Sequence, residues 1–529
     1  MDRESLSAAI IQEMGAVFMT TLAEVLPTLL RSDLACVEQE LRQVGRAVLG
    51  PVVERVVAAQ ARSADGGACP ACGGVLRCVE RARGRRLQGL VGDYTLPRAY
   101  YQCVACGQGH VPLDAHLGLG SGSLSPGLAR VVCREGLEGA FAGAVDRVEE
   151  ALGVTLTAAV VRRTTEAMGQ VAEAPVQMAM ARVARGQRAW TEAEDAVSAP
   201  PESGVLAVEV DGLFVHHDDA WHEMKVVTVA PLGPAVEVDP DTDRERLAWG
   251  DASYGAGVEE ATAFWGRAYV EACRRGLGTP AVHTVVLIAD GADWIWRSGR
   301  AFLGLPGVEM VEILDPYHVY EYLWMIGNAV FGVGTAAARA WVEPLKTRLY
   351  AEGAAPVQAA LATLARLLDV GTEPREGESV AATTVRRACA YMREHAARLD
   401  YPAFVARAWP IGSGTVESSG KAVVQARVKG AGMRWSTAGA QRVVSLRALH
   451  RSRRWDAFWA SHPQRTRLHL VPRQRQAHPP VPSPAAAPSE TETPPLSVPS
   501  PAPPSIPRLL RPAADHPWRR QSLGPPRSA

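Results

Sequence analysis

The sequence predicts an α/β domain with a helical insertion, and three observations carry that prediction. From residue 205 onward, apolar runs rich in β-branched residues alternate with a helical run. Residues 206–216, 224–230, 284–290 and 308–314 have the length and composition of strands, and 258–275 that of a helix. Residues 319–405 then read as mostly helical, so a block of helices follows the alternating part. Upstream, four of the nine cysteines fall into two Cys-x-x-Cys pairs, which sets a small module before the α/β part.

Composition narrows the class. With 47% hydrophobic and 21% charged residues the chain has the balance of a soluble protein. Its formal net charge is zero, so any affinity for nucleic acid must come from local patches rather than a global field. The apolar stretch 8–30 contains Glu13, Glu24 and Pro27 and lacks a basic start. Neither a signal peptide nor a membrane span is expected there, and the expected location is the cytoplasm.

Taken in order, residues 1–60 show apolar positions at helical spacing, interrupted at Gly50-Pro51. Cys69-Pro-Ala-Cys72 and Cys103-Val-Ala-Cys106 make two tight knuckles. Two knuckles supply the four thiolates of a closed tetrahedral zinc site, with Cys78 close enough to confuse the ligand count. Residues 74–78 and 94–101 read as strands, with basic Arg81-Ala-Arg-Gly-Arg-Arg86 at the tip between them. The expectation is a zinc ribbon over 61–115 with a structural metal; a redox pair or chance clustering is the alternative. Residues 120–190 are helical. Within them, two helices flank Leu152-Gly-Val-Thr155, Thr157 can cap the second, and Arg162 and Arg163 lie on it. That fits a DNA-binding helix-turn-helix, although any helical hairpin gives the same pattern.

A polar linker over 191–204 leads into the α/β part, read as 205–330, an insertion at 331–405 and a last part at 406–460. Seventeen of the last 59 residues are proline, so the tail 471–529 lacks the apolar surface to offset its chain entropy and is expected to be disordered.

The candidate chemistry lies in three acids. Val-Glu-Val-Asp211-Gly and Val-Val-Leu-Ile-Ala-Asp290-Gly each end an apolar run in aspartate and glycine. Glu417 sits in Ile411-Gly-Ser-Gly-Thr-Val-Glu417-Ser-Ser-Gly-Lys421, within a stretch holding twelve Lys/Arg against two acids from Tyr401 to Leu470. One carboxylate kept among cations is the pattern of a site that holds a polyanion and a metal together. Aspartates at neighbouring strand ends plus an acid on a later helix can hold two Mg²⁺ ions for phosphodiester chemistry. Taken singly, each acid has a bland reading as a turn, a helix cap or a solvated residue. Lys421, Arg427, Lys429 and Arg434 are the candidate phosphate contacts, with Arg442 weaker. Trp435 is a candidate base-stacking ring, and Trp294 and Trp296 read as helix packing.

With Asp315-Pro-Tyr-His318 and the block Arg427-Val-Lys-Gly-Ala-Gly-Met-Arg-Trp-Ser436, these motifs resemble bacterial insertion-sequence transposases of the DDE class. The ISKra-type group, related to Mutator-like transposases, is the nearest in look, over roughly residues 60–460. The resemblance implies a ribonuclease H-like fold with a helical insertion before the last acid. It also implies Asp211, Asp290 and Glu417 as the Mg²⁺ ligands, Mn²⁺ serving in vitro, with Asp315 and His318 in support. The implied activity is cleavage and strand transfer at the element's terminal inverted repeats, by a homo-oligomer assembled on DNA. Two other readings stay open, a ribonuclease H-like nuclease without strand transfer and a catalytically silent DNA-binding relic.

Overall fold

The chain opens on two long helices, α1 (Arg3–Leu29) and α2 (Leu34–Ala61), in a computed structural model that describes residues 3–61, 67–190, 201–239 and 244–461. Their connection is four residues long and Arg55 reaches Glu13, so the pair is an antiparallel hairpin. The interruption expected at Gly50-Pro51 is absent, because α2 runs straight through it. Gly50 has another use. A Cβ there would collide with the carbonyl oxygen of Asp93, and one on Gly92 would collide with that of Arg46. Glycine on both sides lets the helix lie directly on the next hairpin.

That hairpin pairs β1 (Leu76–Gly89) with β2 (Gly92–Cys103), antiparallel, with Gly89 opposite Gly92. Its tip is therefore Leu90-Val91. The basic run 81–86, expected at the tip, instead lies along β1, where Arg83 to Arg86 face Arg98 to Thr95. The short β3 (Gly109–His110) joins β2, and α3 (Pro112–His116) follows.

Three helices come next: α4 (Pro126–Glu138), α5 (Phe141–Leu152) and α6 (Ala158–Val183). Gly153 ends α5 in the left-handed conformation at φ 63°, and the Thr157 hydroxyl caps α6 by accepting from the Val160 N–H. The local pattern is as the sequence reads. These helices do not stand apart from the rest, however. Leu128, Val132, Leu137, Val148 and Val161 share one buried cluster with Val443, Leu446, Trp455, Phe458 and Trp459. On α6, Gly169 lies against the backbone of Arg442. Residues 191–200 of the expected linker and the tail 471–529 lie outside the described residues.

A six-stranded mixed sheet forms the centre. Its strands are β4 (Val205–His217), β5 (Ala220–Asp239), β6 (Arg244–Trp249), β7 (Ser253–Gly257), β8 (Thr284–Ala289) and β9 (Glu309–Leu314). The order is β6-β5-β4-β8-β9, with β7 also on β5. β4 and β5 are antiparallel, as are β5 with β6 and with β7, whereas β4, β8 and β9 run parallel. The 13-residue β4 lies between the two kinds of pairing. Sequence periodicity missed β6 and β7, six and five residues long and carrying Arg, Glu, Gly and Ala in place of an apolar run. All six residues of β8 are buried, the pattern of a parallel strand covered on both faces. Between β7 and β8 runs α7 (Ala261–Arg274), and between β8 and β9 runs α8 (Asp293–Leu303).

After β9 come α9 (Pro316–Phe331), α10 (Ala336–Glu352), α11 (Ala355–Leu367), α12 (Val380–Glu394) and the short α13 (Tyr401–Ala406). Val319, Leu323, Val342, Leu349, Leu361 and Met392 join these helices to the sheet in one core with Val285, Leu287 and Ile313. α14 (Gly414–Ser419) continues through a π-type turn, Gly420–Gln425, to Val428. α15 (Thr437–Arg451) and α16 (Trp455–Ala460) close the described chain.

One buried ion pair ties α6 to this body. Arg267 on α7, almost fully buried, donates to both oxygens of Glu173 and also meets Glu259, and Ser445 on α15 donates to Glu173. Burial alone would raise the Glu173 carboxyl, but Arg267 overcomes it and holds the group below its usual range. Arg267→Met should cost about 3–5 kcal/mol at pH 7, because a buried carboxylate loses its partner. A depressed carboxyl contributes stability that is present above its ordinary value of 4.5 and lost as pH falls. Urea unfolding of the full chain should therefore show the gap between variant and wild type closing below pH 4.5.

Candidate active site and candidate metal centre

The last matched pair between β4 and β8 is Val210 with Ala289, so the next residue on each strand is an aspartate, Asp211 and Asp290. β8 stops there while β4 continues to His217, still paired to β5. Asp211 is thus in mid-strand, where it was expected at a strand end. The end that matters belongs to β8, and the gap it leaves opens a cavity of about 260 Å³. Asp211, Asp290, His318, Ser413, Glu417 and Lys421 all line it.

Burial is the main cause that pushes the Asp211 carboxyl up to about 6, and the charges of Asp290 and Glu417 add to it. The N–H of Gly212, 2.7 Å away, and His318 act against the rise. Asp290 accepts from the Ala292 N–H at 3.0 Å. Glu417 is half-exposed, 3.7 Å from the ammonium of Lys421.

Behind the cavity are two more carboxylates. Asp315 is fully buried: one oxygen accepts from the Tyr317 N–H and caps α9, and the other accepts from the N–H and hydroxyl of Ser413. Glu209, also fully buried, accepts from the Val416 N–H at 2.6 Å, while its second oxygen has no partner. Burial drives the Glu209 carboxyl well above its usual range, against the pull of Val416. Together Asp315 and Glu209 grip residues 413–416, the turn that presents Glu417. Sequence reasoning gave Asp315 a supporting part and passed over Glu209. The available signal was a lone acid in an apolar strand, two residues from Asp211 and hence on the same face. His318, partly exposed, sits 3.7 Å from Glu321 as well as lining the cavity.

The basic block divides. Arg427, expected on phosphate, is almost fully buried; it donates to the Gly136 carbonyl at 2.7 Å and lies over the rings of Phe141 and Trp435. Burial brings its guanidinium down to about 10, and Arg447 adds to the effect. Trp435 packs edge-on to Phe141 with its indole nitrogen buried, so it is not a free stacking surface. Both residues join α4 and α5 to the last part of the α/β domain. Lys421, Lys429, Arg434, Arg162 and Arg163 are exposed, Arg162 lying 3.8 Å from Glu166. Arg442 is half-buried. Trp296 is buried and Trp294 packs on Phe264, as the packing reading requires.

The four cysteines form the second site. Among the described residues, Cys69, Cys72, Cys103 and Cys106 are the one group of three or more His, Cys, Asp or Glu ligand atoms lying within 4.8 Å of one another. Cys69 and Cys106 are 3.7 Å apart and Cys72 and Cys103 3.5 Å. A tetrahedron with Zn–S bonds of about 2.3 Å puts its sulfurs roughly 3.8 Å apart, so the set fits a structural zinc ion. Cys78 stands outside it. The backbone N–H of Cys106 is the main cause that brings the Cys103 thiol down to about 6. The His110 ring nitrogen lies 3.3 Å from the Cys69 sulfur, placed to hydrogen-bond a thiolate from outside the four.

Cys69→Ser and Cys103→Ser should each lose bound zinc and loosen residues 67–110, read by elemental analysis and by proteolysis of the β1–β2 module. Undiminished zinc in both variants would remove the site. For the acids, the sign follows from the raised carboxyl of Asp211. Its ionisation opposes folding above pH 6 and has no effect below its ordinary 3.8. In EDTA, Asp211→Asn should therefore be more stable than wild type at pH 8, by at most about 3 kcal/mol at about 1.4 kcal/mol per pH unit. At pH 3.5 the two should unfold alike.

A scan against protein-family models and a search among curated proteins both return no match.

Proposed function

We propose that the chain is a DDE-class DNA transposase, with a ribonuclease H-like domain that cleaves the ends of its own insertion sequence and joins them to target DNA. One observation carries the reading. Asp211, Asp290 and Glu417, far apart in sequence, line a single cavity at the edge between the antiparallel and parallel halves of the sheet. The strand order supports the fold: antiparallel pairing among β4 to β7, then β8 and β9 parallel beside β4, and a block of helices before the last acid. Ligands of open α/β sheets bind beyond the carboxyl ends of parallel strands, where the order reverses, and Asp290 and Asp315 both stand there.

The three carboxylates would hold Mg²⁺. Bound there, the ions would supply charge neutralisation at the phosphate and an activated water. The donor set fits, since hard oxygen ligands suit Mg²⁺, and a cation would offset both the burial that mainly raises Asp211 and the repulsion from Asp290 and Glu417 that adds to it. The acids are more loosely spaced than the cysteines, leaving room for phosphate oxygens and water among them.

Lys421 stands beside Glu417 to meet a non-bridging phosphate oxygen, and Glu209 and Asp315 fix the turn that aims Glu417. In cleavage a water oxygen attacks phosphorus, the bond to the 3′ oxygen breaks, and a 3′-hydroxyl is freed. In transfer that hydroxyl attacks a target phosphodiester and displaces its 3′ oxygen. Exposed Lys429, Arg434, Arg162 and Arg163 would position the duplex by its phosphates. The cysteine module and α4–α6 would read the inverted repeats. Such work on a bacterial chromosome places the protein in the cytoplasm.

Asp211→Asn, Asp290→Asn and Glu417→Gln should each lower Mg²⁺-dependent cleavage of an element end at least about a thousandfold, roughly 4 kcal/mol of barrier. Binding of the end should persist. Near-wild-type cleavage by any one of them removes that residue from the site. A precleaved end that is never joined to target DNA would leave a nuclease in place of a transposase.

A further inference from the structure

The α1–α2 hairpin carries a second apolar stripe that nothing in the described chain covers. On α1 the shielded positions are Ile10, Met14, Val17, Val25 and Leu29, at helical spacing. Ile11, Phe18 and Leu26 each follow one of them by a single residue, a rotation of about 100°. Steps of seven and eight residues keep these on one face, and Met19 widens it. On α2, Leu34, Leu41, Leu49 and Val56 repeat at seven, eight and seven residues. They lie about 60° to 100° onward, in the same sense, from shielded Val37, Val44 and Val48.

In an antiparallel pair, equal rotations in the chain direction turn both helices toward the same side. The two stripes therefore merge into one face. Between Ile11 and Leu26 no charged residue falls on the α1 side of it, since Glu13 and Glu24 each precede a shielded residue and so lie on the opposite flank.

With Leu30 at the turn, the nine side chains are 40 to 79% exposed. At about 200 Å² for a fully exposed large side chain they present roughly 1,000 Å², against the ~800 Å² per partner of a stable interface.

We propose that this face is the dimerisation surface, and that its occupant is the same hairpin of a second copy, the two pairs forming a four-helix bundle. An elongated, predominantly apolar, heptad-spaced face, with Glu38 of α2 its one acid between Leu34 and Val56, can pair with itself about a two-fold axis, as an isologous contact requires. α1 is long and apolar enough to cross a membrane by length and composition. Spanning would, however, pull Glu13 away from Arg55 and place it, with Glu24, in hydrocarbon.

The test is sedimentation of the full chain without DNA, at micromolar concentration, so its outcome is independent of the transposase reading. Wild type should sediment at twice its 56.5 kDa. The triple variant Ile11→Asp, Phe18→Asp, Leu26→Asp and, separately, Leu34→Lys with Leu41→Lys should sediment as monomers with unchanged helical circular dichroism. Glu24→Gln, on the other flank, should stay dimeric. A monomeric wild type, or dimers in both stripe variants, overturns the proposal. Flotation of wild type with phosphatidylcholine–phosphatidylglycerol vesicles, abolished in the triple variant, overturns it in favour of a membrane surface.

Discussion

Like charge held close together is the constraint on which the centre of this structure depends. Five carboxylates, those of Glu209, Asp211, Asp290, Asp315 and Glu417, converge where β8 ends, and several sense one another electrostatically. A protein does not gain stability from such a gathering; it tolerates it. Asp315 is relieved by three donors, Glu209 by one backbone N–H, and Asp211 by its neighbour Gly212. The same contacts that ease the charge also fix the turn before Glu417. Geometry and electrostatics are solved by the same few hydrogen bonds.

The segment after that turn is tied down by two buried arginines. Arg427 and Arg447 reach from the region after Glu417 to the carbonyls of Gly136 and Leu137 at the end of α4. Arg427 is closed in by Phe141 and Trp435. Carbonyls at a helix C-terminus carry partial negative charge, so a guanidinium is well matched to them. The helices before the sheet and the helices after it thus share one core, and the site's last acid is braced from outside its own domain.

The part before α4, residues 3–116, is held differently. The β1–β2 hairpin buries few side chains, and its close contact with α2 depends on glycines where the backbones meet. A small module with so little core needs a cross-link, and four sulfurs at tetrahedral spacing are placed to form one around a zinc ion. This part carries the exposed stripe as well. An element that is thinly packed against its own chain is free to be packed against another.

What the sequence by itself determined was whatever depends on near neighbours along the chain. Apolar, β-branched runs marked β4 and β8, the knuckle spacing marked the cysteine cluster, and Gly153 with Thr157 marked the break between α5 and α6. The three acids stood out because each broke a local pattern, an apolar run or a cationic block. Only the tertiary structure decided what depends on distant partners. Arg427 and Arg434 look alike in a basic run, but one is enclosed by aromatic rings and the other faces solvent. Gly50-Pro51 looks like a break until the Asp93 backbone is seen against it. Glu209 looks like a solvated alternation partner until its hydrogen bond to Val416, 207 residues away, is on view. Periodicity reports which side of an element a residue is on; what waits on that side is set by how the chain returns to meet it.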